Sequence, residues 1–231
     1  RMKSLLLLLF VVTLFSCQKD ETSKNDLVPP VVANTDLMII KALGFDETTV
    51  IDKGDYYQVE EDIVILKSNL AGYAEKMKEE GNQTKHGRSD YLVAVRNISD
   101  LKIMLDPSLN VSNWREAMQA TIQAYNETGS AIRMREVTSN PDIILTTGNL
   151  PQNVCGQGGF PTADGRAYNT VLLNTSFNNR LSLSQKILLV AHEIGHNIGF
   201  RHTNWYGAGE PNGIHIPGTP SGADPDPYSD R

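Results

Sequence analysis

Cysteine is scarce in this 231-residue sequence, in which Cys17 and Cys155 are the only thiols. If Cys17 is consumed by a modification at the N-terminus, Cys155 has no disulfide partner. We therefore expect a fold that rests on packing rather than on cross-links. Cys155 falls between two predicted strands, and we interpret it as a packed thiol.

Long apolar runs and basic clusters are also missing. The N-terminal apolar stretch, Leu5 to Phe15, is too short to span a membrane as a helix. The net charge is −6 and no cluster of Lys and Arg stands out, which argues against nucleic acid as a partner. The length suits one main domain preceded by a small module, and we expect the protein to be a monomer.

The N-terminal residues carry targeting signals. Met2 and Lys3 followed by the apolar stretch are typical of a secretory signal peptide, which we predict over residues 1–16. The Ser16-Cys17 pair resembles the end of a bacterial lipoprotein signal, which would make Cys17 the acylated first residue of the mature chain. An ordinary signal peptide with an incidental cysteine is the alternative. Residues 17–30 are predicted to be a solvated tether.

The start of the tether carries a further resemblance. Its residues Gln18-Lys19-Asp20-Glu21 are similar to the charged export tag of Bacteroidetes surface lipoproteins. The resemblance implies an extracytoplasmic protein, anchored to the membrane by lipid at Cys17, in the outer membrane or at the surface of a Gram-negative bacterium. An ordinary polar tether is the alternative.

The most informative stretch spaces three histidines and one glutamate around a glycine: His192, Glu193, His196, Gly199 and His202. Side chains four apart share one face of a helix, so His192 and His196 can bind one metal ion. Glu193 can hold a water beside that ion as a general base, and Gly199 permits the turn after which His202 returns as third ligand. Three protein ligands leave one position open, as in catalytic zinc sites.

The first two ligands are predicted to lie on an amphipathic helix that begins after Ser182. Ser182 and Gln185 have the spacing of a capping box. The apolar residues recur at helical spacing and should face a core; they are Ile187, Leu188, Val190, Ala191, Ile194 and Ile198. Burial of this helix would fix the geometry of the ligands.

Other side chains are candidates for the third ligand, because Glu210, His215 and Asp224 follow the helix. Glu210 lies in a glycine- and proline-rich loop without a helical pattern, so we expect it to be solvated. A lone histidine such as His215 is more often packed or exposed. We therefore prefer His202, and we interpret His86 as a surface residue.

The literal run His192-Glu193-Ile194-Gly195-His196, continued to Gly199 and His202, is similar to the metzincin signature. Within that clan it resembles the dual-action HEIGH metallopeptidase family, over about Asp90 to His202. The resemblance implies an α+β catalytic domain with a small mixed sheet and an active-site helix. Periodicity independently predicts strands at Leu101–Leu105, Ile132–Val137, Asp142–Thr146 and Thr170–Leu173, and a helix at about Ser112–Asn126.

Two further expectations follow from the resemblance. The last strand, Thr170–Leu173, would be the edge of the sheet and pair with an extended substrate, although its residues equally fit an interior strand. Family members also have a methionine-containing turn beneath the ligands, whereas the last methionine here is Met134. We therefore expect the catalytic domain, residues 88–231, to be incomplete at its C-terminus.

Residues 31–87 are predicted to form a small α/β module of the prosegment type. Its elements are a helix near Leu37–Leu43, strands within Thr49–Leu66 and a polar helix near Leu70–Glu79. Cleavage by a trypsin-like enzyme after Arg88, in a run rich in glycine and basic residues, would then relieve latency. A small permanent domain is the alternative.

Together these patterns predict a zinc-dependent endopeptidase that acts on protein or peptide substrates. Zinc on His192, His196 and His202 would activate a water and polarise the scissile carbonyl. Glu193 would take the proton of the water and give it to the leaving amine. The alternative is a catalytically impaired surface lipoprotein that binds zinc or peptide.

Overall fold

A mixed sheet of eight strands organises the described part of the chain. The structure, a computed structural model, describes residues 33–79, 92–109 and 113–202. The strands are β1 (Ile51–Asp52), β2 (Tyr56–Val59), β3 (Ile63–Leu66), β4 (Leu101–Leu105), β5 (Met134–Glu136), β6 (Ile143–Thr147), β7 (Gly156–Gly159) and β8 (Thr170–Leu173). The helices are α1 (Asn34–Ala42), α2 (Lys67–Glu79), α3 (Val95–Ile98), α4 (Trp114–Glu127) and α5 (Leu183–Ile198).

Several sequence predictions fall outside these residues. They concern the signal peptide, tether and Cys17 within residues 1–32, His86 and Arg88 within residues 80–91, and Glu210, His215 and Asp224 within residues 203–231. Among the described helices, none is both long enough and apolar enough to cross a bilayer.

The strands of the sheet follow the order β1-β2-β3-β7-β8-β6-β4-β5. Strands β4, β5, β6 and β8 are parallel, and α4 provides the crossover from β4 to β5 that a parallel pair requires. Strand β7 is antiparallel to β8, whereas β3 runs parallel to β7. Strands β1 to β3 form an antiparallel meander that continues the sheet on the outer side of β7.

The α+β class and the mixed sheet are confirmed. Strands β4 and β8 have the predicted bounds, and those of β5, β6 and α4 differ from the prediction by no more than two residues. Strand β7 was not predicted, because three of its four residues are glycine. Glycine is depleted in strands and provides no alternation of apolar and polar side chains.

The expectation that Thr170–Leu173 lies at the edge of the sheet is wrong, and the interior alternative is correct. Strand β8 pairs with β6 on one side and with β7 on the other. Within residues 92–202, the outer strand next to the candidate site is therefore β7. The wrong prediction has a physical cause: β7, which pairs with β8, consists mostly of glycine and therefore gives no pattern of apolar and polar side chains from which a strand could be predicted.

Two hydrophobic clusters stabilise the described residues. The larger one joins the sheet to α4 and α5 through fully buried side chains such as Ile103, Trp114 and Ile194. The smaller one consists of Ile40, Leu43, Phe45, Tyr57, Val59, Ile63, Ile65, Leu70, Tyr73 and Phe160. All of these except Phe160 come from the segment before residue 80, so the N-terminal segment has a hydrophobic core of its own.

Candidate metal centre

Helix α5, which carries two candidate ligands, begins and ends where predicted. The hydroxyl of Ser182 accepts from the N–H of Gln185 at 3.3 Å, and the Gln185 side chain accepts from the N–H of Ser182 at 2.9 Å. The capping residue that follows α5, Gly199, has a φ of +106°, in the left-handed region. This conformation favours glycine, and a Cβ there would also lie 3.2 Å from the Cα of Leu92, which is a tight contact.

The buried face of α5 differs from the prediction at one position. Val190, Ile194 and Ile198 are fully buried, as expected. Leu188 is 63% exposed, so the prediction that it faces the core is wrong. Two residues correspond to about 200° around a helix, which places Leu188 on the side opposite Val190.

Three imidazoles and one carboxylate converge at the end of α5. His192, His196, His202 and Asp62 each contribute one ligand atom to a group whose members all lie within 4.8 Å of one another. The Nε2 atoms of His192 and His196 are 2.9 Å apart. With Zn–N bonds of about 2.0–2.1 Å, two ligand atoms of one tetrahedral ion lie about 3.3 Å apart. The described residues thus bring the three predicted histidines to the spacing that one metal ion requires.

A hydrogen bond and burial orient His196, and a carboxylate lies near His202. Nδ1 of His196 lies 2.9 Å from the carbonyl oxygen of Phe200, to which it can donate, so that Nε2 is left with its lone pair. Burial lowers the pKa of His196 to about 3, which keeps the ring in the neutral form that binds metals. Nδ1 of His202 lies 3.8 Å from a carboxylate oxygen of Glu60.

Among the described residues, two buried carboxylate oxygens accept no hydrogen bond. They are Oδ1 of Asp62 and Oε2 of Glu193. Nε2 of His202 lies 3.2 Å from that Asp62 oxygen, close enough for an ion pair but not aligned as a donor. An unsatisfied buried polar group costs about 1–3 kcal/mol, and more when it is charged. A cation at the histidines, with a water beside Glu193, would satisfy both oxygens, so the residues present fit a metal ion.

Glu193, the predicted general base, is buried against β7. Burial first, and the charge of Asp62 second, raise the pKa of the Glu193 carboxyl above its usual range. A Cβ on Gly156 would lie 2.6 Å from Oε1 of Glu193, and a Cβ on Gly158 would lie 2.6 Å from its carbonyl oxygen. The glycines of β7 therefore allow α5 to approach the sheet closely enough to place Glu193 beside the histidines.

Asn197 is a structural residue of this site that the sequence analysis missed. It is fully buried, and its side-chain oxygen accepts from the N–H of Gly159 at 2.9 Å. Its amide group donates to the carbonyl oxygens of Tyr168 and Thr170 at 2.8 and 3.0 Å. The residue thus ties α5 to the sheet. The available signal was position, because Asn197 lies seven residues after Val190 and hence on the same, buried face.

Asp62 was missed as well, because it lies 130 positions before His192 in the chain. It follows Glu60 and Glu61 in the turn between β2 and β3, where both glutamates have positive φ angles of 48° and 72°. Burial alone would raise the pKa of Asp62, but hydrogen bonds with His192 and His202 hold it below the usual range. The signal in the sequence was the run of three acidic residues, Glu60 to Asp62, inside the stretch predicted to form strands.

Cys155 lies between β6 and β8, the two strands predicted around it, directly before the unpredicted β7, and it is partly buried. Burial, followed by the charge of Glu193, raises the pKa of its thiol. The metal-ligating group formed by the described residues does not include Cys155. This position is consistent with a packed thiol close to the site.

Comparison with known proteins gives a match to a family model and partial likenesses to solved structures. The family model of the dual-action HEIGH metallo-peptidases matches residues 57–227, which include Asp62, Glu193 and the three histidines. A solved structure titled "Structure of myroilysin" is 19% identical over 49% of this chain and 55% of that chain, with a TM-score of 0.34. This chain therefore spans about half the length of that protein. No curated protein matches.

Proposed function

Because this chain belongs to the dual-action HEIGH metallo-peptidase family, and is therefore a metallopeptidase, we propose that it is a zinc-dependent endopeptidase. The observation that carries the proposal is the convergence of His192, His196 and His202 beside the buried carboxylate of Glu193. Three imidazole ligands, with a fourth position for water or substrate, are the donor set of catalytic zinc sites.

The side chains of the site have distinct roles in hydrolysis. Zinc, when bound by the three histidines, polarises the scissile carbonyl and lowers the pKa of a neighbouring water. Glu193 takes a proton from that water at Oε2, the oxygen that accepts no hydrogen bond from the protein. The raised pKa of Glu193 helps it to retain this proton until the nitrogen of the leaving amine accepts it.

The substrate is proposed to bind along β7. Among the strands that residues 92–202 form, β7 is the outermost on one side, and it runs directly beside Glu193. Without β1 to β3 it would therefore be the edge of the sheet. An edge strand offers unpaired N–H and C=O groups to an extended peptide. Because β7 has the sequence Gly156-Gln157-Gly158-Gly159, recognition there is mainly through the main chain, which suits protein substrates of varied sequence.

The location of the enzyme is part of the same proposal. The lipoprotein-like signal around Cys17 supports an enzyme anchored by lipid outside the cytoplasm, in the outer membrane or at the cell surface. Such a position would give the site access to extracellular proteins.

Zinc content and casein cleavage test the proposed reaction. Wild type and Glu193→Gln would be compared as purified and after limited trypsin treatment followed by trypsin inhibition. We expect both proteins to bind a single zinc ion, and only wild type to cleave casein, in at least one of the two states. Zinc binding without cleavage above the Glu193→Gln background in either state would refute the enzymatic role and favour a zinc- or peptide-binding lipoprotein.

A further inference from the structure

We propose that the segment from Ile51 to Leu66 holds this peptidase in a latent state. Asp62 acts as the fourth protein ligand of the metal, and β3 covers the edge of β7 that a substrate needs. The inference rests on the proposed function, because it concerns regulation of the same site.

Asp62 faces all three histidines. Its Oδ2 lies 3.4 Å from Nε2 of His192 and 3.4 Å from Nε2 of His202, and its Oδ1 lies 3.6 Å from Nε2 of His196. Carboxylate oxygens bind zinc at about 2.0–2.2 Å, much as imidazole nitrogens do. A fourth protein ligand closes the site, because it takes the position that an attacking water or a substrate carbonyl requires.

Strand β3 occupies the main-chain groups of β7. Ile63 is paired with Gly158 and Val64 with Gly159, and the N–H of Phe160 donates to the carbonyl oxygen of Val64 at 2.8 Å. The segment therefore excludes an extended peptide from the part of β7 that contains Gly158 and Gly159. The group that it presents to the histidines is a side-chain carboxylate, which cannot be hydrolysed.

A buried ion pair fastens this segment beside the third histidine. Arg201, the neighbour of His202, pairs with Glu60, and both side chains are almost completely buried. Arg201 also donates to the carbonyl oxygen of Gly44 at 2.6 Å and lies 4.5 Å from the centre of the Phe45 ring. Glu60 is two residues before Asp62, so the pair fixes the turn that directs Asp62 to the metal ligands.

The segment has a hydrophobic cluster that is separate from the larger cluster that holds α5. Phe160, and the partly buried Ala163 that packs against this cluster, are its members from after residue 80 among the described residues. Cleavage after Arg88, the cut predicted from the sequence, would separate residues 31–87 from the catalytic region and permit release of the segment. Latency is thus a property of two contacts, at Asp62 and at β7.

Cobalt substitution tests the role of Asp62 without relying on activity. The intact chain would be loaded with Co²⁺, whose visible spectrum reports its ligands, and wild type would be compared with Asp62→Asn. The matched control is Glu61→Gln, which removes the same charge from the exposed neighbouring residue. We expect a changed spectrum for Asp62→Asn and an unchanged one for the control. An identical spectrum for all three proteins would overturn the assignment of Asp62 as a ligand.

Turnover of casein by the same intact chains tests latency. We expect Asp62→Asn to raise the rate about tenfold or more over wild type, since it removes charged contacts of the closed state, and Glu61→Gln to leave it unchanged. Mass spectrometry would verify that the chains are intact through Arg88. If wild type that is not cleaved at Arg88 turns over casein as fast as Asp62→Asn, the proposal is overturned. A changed cobalt spectrum, with no turnover by any variant even after trypsin, would leave Asp62 as a ligand but refute the proposed function.

Folding of the variants is checked by thermal melting. Asparagine has the shape of aspartate, so Asp62→Asn should preserve the turn. If it does not fold, Asp62→Ser is the second variant, and its cobalt spectrum and turnover decide the proposal by the same criteria.

Discussion

Asn197 provides the most quantitative test of how the active-site helix is held. Substitution by alanine removes one hydrogen bond from the N–H of Gly159 and two to the carbonyl oxygens of Tyr168 and Thr170. The site is fully buried, so water cannot replace the lost partners without entering the core. A buried N–H left unpaired costs about 1–3 kcal/mol and each weakened carbonyl bond about 1 kcal/mol, for a total of about 3–5 kcal/mol.

Such a loss is large, because the free energy of unfolding of a typical protein is only about 5–15 kcal/mol. The free energy of unfolding would be measured by urea denaturation followed by circular dichroism, at a fixed zinc concentration so that metal binding contributes equally. Asn153→Ala is the matched control, because Asn153 is exposed in a turn and should change stability by less than about 0.5 kcal/mol. A loss below about 1 kcal/mol for Asn197→Ala would refute the structural role assigned to this side chain.

The remaining predictions rest on the structure and, for Cys17, on the sequence. Gly158→Ala should destabilise the fold by about 1–3 kcal/mol, because its Cβ would meet the Glu193 carbonyl oxygen at 2.6 Å. Gly195→Ala should be tolerated far better, since its Cβ would lie 3.3 Å from the hydroxyl of Tyr125 and alanine favours the helix; equal urea midpoints would contradict this ranking. Removal of zinc by a chelator should lower the melting temperature, and added zinc should restore it. At a free zinc concentration of about a hundred times the Kd, binding adds about 2.7 kcal/mol to the free energy of unfolding. An unchanged melting temperature would argue against a structural contribution of the metal. Cys17→Ser should move the protein from the membrane fraction to the soluble fraction, and an unchanged distribution would exclude the lipid anchor.

Local signals allowed the active-site helix to be predicted almost completely. The capping box at Ser182 and the left-handed turn at Gly199 depend on residues close together in the chain, so spacing alone defined both ends of α5. The same holds for the relation between His192 and His196, which is set by the pitch of a helix. The exception was Leu188, which we predicted to be buried because it is apolar, although it lies on the exposed face of the helix.

The remaining features depend on contacts between distant segments. Strand β7 is rich in glycine because α5 packs closely against it; a Cβ on Gly158 would lie 2.6 Å from the carbonyl oxygen of Glu193. No periodicity of apolar residues announces such a strand. Asp62 reaches the site only because β3 pairs with β7, a parallel contact between segments almost one hundred residues apart. Pairings of this kind are fixed by the whole fold and not by any local pattern.

The central claim is that His192, His196 and His202 hold a catalytic zinc ion that Asp62 closes in the intact chain. Anomalous diffraction at the zinc edge, from crystals of the intact zinc-loaded protein, tests it most directly. We predict a single strong anomalous peak at bonding distance from the three Nε2 atoms and from a carboxylate oxygen of Asp62. A crystal with no peak at these histidines, or with zinc held by other side chains such as Cys155, would contradict the account.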